Sequence, residues 1–111
     1  MLPRANRLTD GADYRAVVRR GARCSGAHTV TYVVAPSEGG ATRFGFIVSK
    51  QVGSAVVRNT VRRRLKAICA EALPDVVAGS QVVIRATPRA ADTPYRELRD
   101  DVSRCLRRVA A

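Results

Sequence analysis

Residues 55–66, AVVRNTVRRRLK, place five cations among apolar residues, and the spacing of the two kinds predicts a helix. Steps of three and four residues trace an apolar stripe: Val57, Val61, Leu65, Ile68 and Ala72. The same steps trace a basic stripe beside it: Arg58, Arg62 and Lys66, with Arg63 on its flank. We therefore expect an amphipathic helix of about four turns, ended by Leu73-Pro74, with one face on a core and one toward a partner.

The segments around this helix predict a small α+β domain. A first helix begins at Thr9 or Asp10 and ends at Gly21, and a last helix begins with Thr93 as its cap and Pro94 at its first position. Strands are predicted at 28–35, 43–49 and 81–86, the first two as an antiparallel hairpin around a turn at 36–41. The order is αββαβα, with an additional strand possible near 22–27, in a two-layer α/β sandwich.

Alternation in the first predicted strand divides its side chains between two faces. His28, Val30, Tyr32 and Val34 fall on one face, and Thr29, Thr31 and Val33 on the other. The apolar run in residues 81–86, QVVIRA, is typical of a strand that is buried on both faces. We expect residues 1–111 to form a single domain.

The charge balance points to a polyanionic partner. The chain has 20 Lys and Arg against 9 Asp and Glu, a net charge of +11, and 18 of the cations are Arg. Because such a charge repels itself, a nucleic acid or an anionic membrane surface is the simplest partner. No apolar run approaches the roughly 18 residues of a spanning helix, and the first residues, MLPRANRLTD, lack the apolar region of a secretory signal. We expect a cytoplasmic protein.

The cysteines and acids predict neither a metal site nor catalysis. Cys24, Cys69 and Cys105 are odd in number and widely spaced, and we expect reduced thiols that mostly line the core. His28 has no nucleophile at a recognisable motif spacing. Asp100 and Asp101 are neighbours on a helix and point about 100° apart, so a structural role is favoured. No glycine pattern typical of a nucleotide cofactor site is present.

The basic helix has two interpretations, a solvated surface or a phosphate-binding face. Phosphate binding is favoured because no acid occurs from position 50 to 70, so the cations lack partners on their own helix. Asn59 adds a forked hydrogen-bonding group. Gly53 and Ser54, just before the helix, are expected to leave backbone N–H groups free for phosphate.

The segment FIVSKQVGSAVVRNTVRRRLKAI (46–68) resembles the signature of the protein component of bacterial ribonuclease P. The positions in register with that family's loop and RNR motif are Ser49, Lys50, Val52, Gly53, Ala55, Val56, Arg58, Asn59, Arg62 and Arg63. The resemblance extends to residues 2–21, to VVIRATP (82–88) and to the last helix. Thr60 replaces the second Arg of the motif, Gln51 the second Lys of the loop, and Lys66-Ala67 an Arg-Glu pair.

The resemblance implies the protein subunit of an endoribonuclease whose active site and Mg²⁺ ions belong to its RNA. That subunit binds ribonuclease P RNA and the 5′ leader of precursor tRNA, and assists removal of the leader to give the mature tRNA 5′ end. No catalytic residue, bound metal, protein partner or membrane is implied for the chain. The family fold is ribosomal protein S5 domain 2-like, with a left-handed βαβ crossover that general chain topology would not predict.

Site residues follow from the same resemblance. The RNA-binding set is Lys50, Gly53, Arg58, Asn59, Arg62, Arg63 and Lys66. The leader-binding cleft is expected between the first helix and the sheet, at Tyr14, Val18, His28, Val30 and Tyr32. The tyrosines could stack on unpaired bases, and the alternative for this second set is ordinary core packing.

Three other functions remain as alternatives. A ribosomal-type binder of structured RNA would share the fold without a role in processing. A DNA-binding module would insert the 55–70 helix into the major groove, but no second helix and tight turn flank it. An unassisted nuclease would need clustered acids for two-metal hydrolysis, and the sequence offers none.

Overall fold

The computed structural model describes residues 2–34 and 40–110, which form three α-helices and four strands. The helices are α1 (Gly11–Arg20), α2 (Ala55–Ala72) and α3 (Tyr95–Val109). The strands are β1 (Ala22–Ser25), β2 (Thr29–Val34), β3 (Arg43–Ile47) and β4 (Gln81–Ala86). The order α-β-β-β-α-β-α confirms the predicted α+β class, including the additional strand near 22–27.

The sheet is mixed, with the strand order β1-β2-β4-β3. β1 pairs antiparallel with β2, β2 antiparallel with β4, and β3 parallel with β4. The predicted hairpin of residues 28–35 with 43–49 is therefore wrong, because β4 lies between those two strands. Residues 36–39 of its predicted turn lie outside the described residues. The apolar run of β4 accounts for the central position, since Val82, Val83 and Ile84 are fully buried there.

Helices cover both faces of the sheet. α2 and α3 pack on one face, around Val33, Phe44, Val82 and Ile84. α1 packs on the other face, around Val30, Tyr32 and Val83. The alternation predicted along β2 is confirmed for these residues, and the apolar stripe of α2 is confirmed by burial of Val61, Leu65 and Ile68. α2 itself is the crossover between the parallel neighbours β3 and β4.

Two helix starts show how well capping could be predicted. Asp10 caps α1, and its carboxylate accepts a hydrogen bond from the Ala12 N–H at 2.8 Å. α3 begins one residue later than predicted, with Pro94 as the cap residue and Tyr95 as the first helical residue. The Thr93 hydroxyl instead donates to the Glu97 carboxylate at 3.2 Å.

The structure corrects the prediction of three reduced cysteines. Cys24 of β1 and Cys105 of α3 form a disulfide across 81 residues, with their Cα atoms 5.5 Å apart. Wide spacing along the chain concealed this pairing, because β1 is an edge strand that α3 covers. Cys69 is free and buried, and burial raises the pKa of its thiol above the usual range.

Candidate RNA interface

A tight turn positions the start of α2. Gly53 has φ 155°, a backbone conformation that L-residues rarely adopt, and a Cβ there would lie 2.9 Å from Val57 Cγ1. The Ser54 hydroxyl then accepts from the Val57 N–H at 3.4 Å and caps the helix. The expectation of a free N–H at Gly53 is wrong, because this group donates to the Lys50 carbonyl at 3.2 Å. Gly53 therefore shapes the turn.

A basic groove runs along the exposed side of α2. Its volume is about 510 Å³, and its lining residues are Arg7, Asn59, Arg62, Arg63, Lys66 and Ala67. Asn59 Oδ1 accepts a hydrogen bond from the Arg62 guanidinium at 3.2 Å, which orders the two side chains relative to each other. Four of the seven predicted RNA-binding residues thus meet in one groove that has no carboxylate in its lining.

Arg7 is the groove residue that helical periodicity could not reveal. It comes from the N-terminal segment, which runs beside β3 and forms a parallel bridge between Arg7 and Phe44. Its guanidinium donates two hydrogen bonds to the Leu2 carbonyl, at 3.1 and 2.9 Å. The only available signal was the resemblance of residues 2–21 to the family pattern, which contains an arginine at this position.

Three other basic residues in or near α2 lie outside the basic groove. Lys50 is exposed in the loop after β3, in a separate groove with Arg85 and Thr87. Arg58 is half-buried, and its Nε has no hydrogen-bond partner among the described residues. Arg64 donates to the Thr93 carbonyl at 3.1 Å and so ties α2 to the start of α3.

A second groove of about 500 Å³ lies between α1 and the sheet, where the resemblance placed the leader cleft. It is lined by Tyr14, Arg15, Val18, Arg19 and Ile47. The Tyr14 hydroxyl accepts a hydrogen bond from the Phe46 N–H at 3.1 Å. Its ring lies over Gly45, where a Cβ would be 2.5 Å from Tyr14 Cζ. We call this the α1 groove.

The other three residues predicted for the leader cleft do not line the α1 groove. Val30 and Tyr32 are each only 6% exposed and pack beneath α1, which agrees with the core-packing alternative. His28 precedes β2 and does not share their surroundings. Its Nδ1 lies 3.8 Å from Asp101 Oδ2 of α3, on the far side of the sheet from α1.

Asp101 is a buried carboxylate whose role the sequence did not reveal. It accepts hydrogen bonds from the His28 N–H, the Thr29 hydroxyl and the Arg104 guanidinium, each at 3.1 Å. Burial by itself raises the pKa of this carboxyl, but the three hydrogen bonds and the nearby His28 outweigh it, so the pKa is lowered overall. A group tied down in this way serves the fold, as the sequence analysis favoured.

Among the described residues, no group of three or more His, Cys, Asp or Glu side chains could hold a metal ion. In residues 2–34 and 40–110, no helix is long and apolar enough to cross a membrane.

Comparison with known proteins identifies the family. The family model described as Ribonuclease P matches residues 2–110. The chain belongs to the ribonuclease P protein family. The ribonuclease P protein component of Clavibacter michiganensis is 48% identical over 98% of this chain and 100% of its own length. That of a Nocardioides species is 41% identical over 100% of this chain and 97% of its own length.

Solved ribonuclease P proteins have the same fold. The Staphylococcus aureus protein superposes with a TM-score of 0.83 at 22% identity, over 92% of this chain and 93% of that one. The Thermotoga maritima protein also gives 0.83, at 17% identity, over 95% and 98%. As a ribonuclease P protein, the chain is the RNA-binding protein component of an endoribonuclease holoenzyme that acts in tRNA processing. Membership implies ribonuclease P RNA as its partner and removes the DNA-binding and unassisted-nuclease alternatives.

Proposed function

We propose that the chain binds ribonuclease P RNA through the basic groove and holds the 5′ leader of precursor tRNA in the α1 groove. The cut that gives the mature tRNA 5′ end is then made by the RNA, in the bacterial cytoplasm. The observation that carries this proposal is the basic groove, where Arg7, Arg62, Arg63 and Lys66 converge without a carboxylate. Arginine forks match phosphate geometry, and among the described residues none of these four cations forms an ion pair that RNA binding would have to break.

The α1 groove suits a single strand better than a helical RNA. Tyr14 and Val18 offer an aromatic and an aliphatic surface, and Arg15 and Arg19 flank them with positive charge. Unpaired bases stack on aromatic side chains while cations follow the backbone, in a way that tolerates different sequences. A leader, whose sequence differs between tRNA precursors, requires that tolerance.

In this proposal the RNA subunit binds the Mg²⁺ ions that the reaction requires. The described residues offer no three-ligand cluster for a metal, so the protein's contribution is to bind and orient. Its cations neutralise phosphates that would otherwise need divalent ions. The protein should therefore lower the Mg²⁺ concentration at which the holoenzyme works.

The salt dependence of RNA binding tests the basic groove. Affinity for ribonuclease P RNA should fall steeply with salt, by close to one unit of log-log slope for each phosphate contact. Changing Asn59, Arg62, Arg63 and Lys66 to Ala should flatten that slope by about three units, since three cations are lost. Changing Arg96, Arg107 and Arg108 of α3, which are exposed, removes the same charge elsewhere. Equal slopes for the two variants would show that charge alone, and not the groove, binds the RNA.

Leader length tests the α1 groove independently. The holoenzyme should bind precursor tRNA more tightly than mature tRNA, and Tyr14→Ala should remove most of that difference. Loss of one stacked base costs about 1–3 kcal/mol, so we expect a change of about fivefold to a hundredfold for precursor tRNA and none for mature tRNA. An equal loss for both RNAs would contradict leader binding in this groove.

A further inference from the structure

Arg85 is an exposed arginine on the buried central strand. Val82, Val83 and Ile84 before it are fully buried, whereas Arg85 lies open to solvent on β4. Strand alternation puts Arg85 on the same sheet face as Val83, the face that α1 covers elsewhere. Among the residues that the structure describes, Arg85 forms no salt bridge with an acid.

The Arg85 guanidinium lies over a buried aromatic ring. Its central carbon is 5.9 Å from the centroid of the Tyr32 ring, within the range of a cation–π contact. Tyr32 is only 6% exposed. The Tyr32 ring therefore offers almost no surface to a base, whereas the guanidinium that lies over it belongs to an exposed residue.

The surroundings of Arg85 continue the α1 groove. Arg85 lines a further groove of about 670 Å³ with Ile47, Lys50 and Thr87, among other residues, and no acid is part of that lining. Ile47 also lines the α1 groove, so the two grooves meet at this residue. A strand leaving Tyr14 would pass Ile47 and arrive between two cations, Arg85 and Lys50.

We propose that Arg85, supported by the Tyr32 ring beneath it, stacks on one unpaired nucleotide of the leader, while Lys50 neutralises an adjacent phosphate. The inference rests on the proposed leader binding and gives a role to a residue that lies in the resembling segment VVIRATP (82–88) but was not among the predicted site residues. Guanidinium planes stack on splayed bases as aromatic rings do. Tyr32, predicted above as a base-stacking residue, instead holds the arginine plane in position.

The test measures binding of precursor tRNA to the holoenzyme while abasic nucleotides replace the leader residues one at a time. With the wild-type protein, one position besides the one that stacks on Tyr14 should raise Kd by about fivefold to a hundredfold, the range for loss of one stacked base. With Arg85→Ala, Kd should be raised already, and the abasic substitution at that position should add nothing. Arg85→Lys keeps the charge but not the plane, so it should retain the salt slope and lose the response to the abasic position.

Arg96→Ala is the matched control, since it removes an exposed arginine of α3 on the opposite face of the sheet. It should keep the full response to the abasic position. If Arg85→Ala and Arg85→Lys both keep that response, the inference is overturned while leader binding stands. If the wild-type holoenzyme binds precursor tRNA and mature tRNA with the same Kd, the proposed leader binding is wrong, and the inference about Arg85 is overturned with it. Thermal unfolding of each variant separates loss of binding from loss of the fold.

Discussion

Gly45 leaves the space that the Tyr14 ring occupies on the sheet. Gly45→Ala would place a Cβ 2.5 Å from Tyr14 Cζ, so the ring must move and the Phe46 N–H loses its acceptor. We expect a loss of about 1–3 kcal/mol in the free energy of unfolding, measured by denaturant titration, together with weaker binding of precursor tRNA.

Gly11→Ala is the matched control for this change. At Gly11 the nearest atom to a new Cβ is Arg15 Nη1 at 3.5 Å, an ordinary contact. The substitution in the first turn of α1 should be neutral or stabilise by about 0.4–1 kcal/mol. If both glycine variants unfold alike, the Tyr14 ring does not occupy the space above Gly45.

The contribution of Asp101 to the free energy of unfolding should depend on pH. Because its folded-state pKa is lowered, its contribution is present above the ordinary carboxyl pKa and disappears as pH falls through the lowered value. Asp101→Asn should cost about 1.5–3 kcal/mol near pH 7, since the amide cannot accept all three hydrogen bonds. Denaturant titrations at pH 7 and near pH 3 should show the gap between variant and wild type shrinking in acid.

Asp100→Asn is the control, because this carboxylate is not buried. The Asp100 side chain is 70% exposed, and its Oδ1 lies 3.9 Å from Arg99 Nε. It should change stability by no more than about 0.5 kcal/mol at either pH. A gap for Asp101→Asn that stays constant with pH would show that the carboxylate charge is not what the network requires.

Residue roles could be predicted where periodicity or a motif constrained them. Helical spacing predicted that Arg58, Arg62, Arg63 and Lys66 share one side of the helix, and Arg62, Arg63 and Lys66 do line one groove, whereas Arg58 does not. Whether Val30 or Tyr32 is covered depends on which residues pack over it, and this is decided by tertiary contacts that a local pattern does not contain. The same is true of the two Asp101 hydrogen bonds from His28 and Thr29, which join residues more than 70 positions apart.

At the scale of elements, the N-terminal segment completes the basic groove. Arg7→Ala should weaken binding of ribonuclease P RNA and reduce the log-log salt slope by close to one unit, the value for one lost phosphate contact. Arg4→Ala removes an exposed charge three residues away that does not line the groove. Identical slopes for the two variants would exclude Arg7 from the interface.

The disulfide joins the edge strand β1 to α3 and should stabilise the fold. Closing a loop of this length contributes about 4.5 kcal/mol in the chain-entropy description. Adding reductant should therefore lower the denaturant midpoint of the wild type. The double variant Cys24→Ala, Cys105→Ala should be less stable and unaffected by reductant. A wild-type midpoint indifferent to reductant would contradict the Cys24–Cys105 pairing.

The elements were predicted better than their arrangement. α2 followed from two parallel stripes, and β4 from an apolar run that is buried on both faces. The hairpin was misassigned because neighbouring strands along a chain usually pair, whereas here burial of β4 between β2 and β3 covers its apolar residues more completely. The central position goes to the strand whose burial is most favourable for the whole sheet. It therefore cannot be predicted from the sequence of any single strand.

At the scale of the whole molecule, the net charge of +11 is distributed to match one kind of partner. Three grooves have no carboxylate in their linings: the basic groove, the α1 groove, and the groove that contains Lys50 and Arg85. The groove between α2 and α3, by contrast, contains Glu71 and Asp75. This division fits a protein that binds RNA on selected surfaces and leaves the chemistry to its partner.

Reconstituted cleavage tests that account most directly. Ribonuclease P RNA and precursor tRNA are mixed at a low Mg²⁺ concentration, with and without the protein, and the rate of leader removal is measured. The wild-type protein should accelerate cleavage over RNA alone. A variant with Ala at Arg62, Arg63 and Lys66, which line the basic groove, should lose most of the acceleration at low Mg²⁺ and recover it at high Mg²⁺. No acceleration by the wild type, or equal acceleration by the variant at low Mg²⁺, would contradict it.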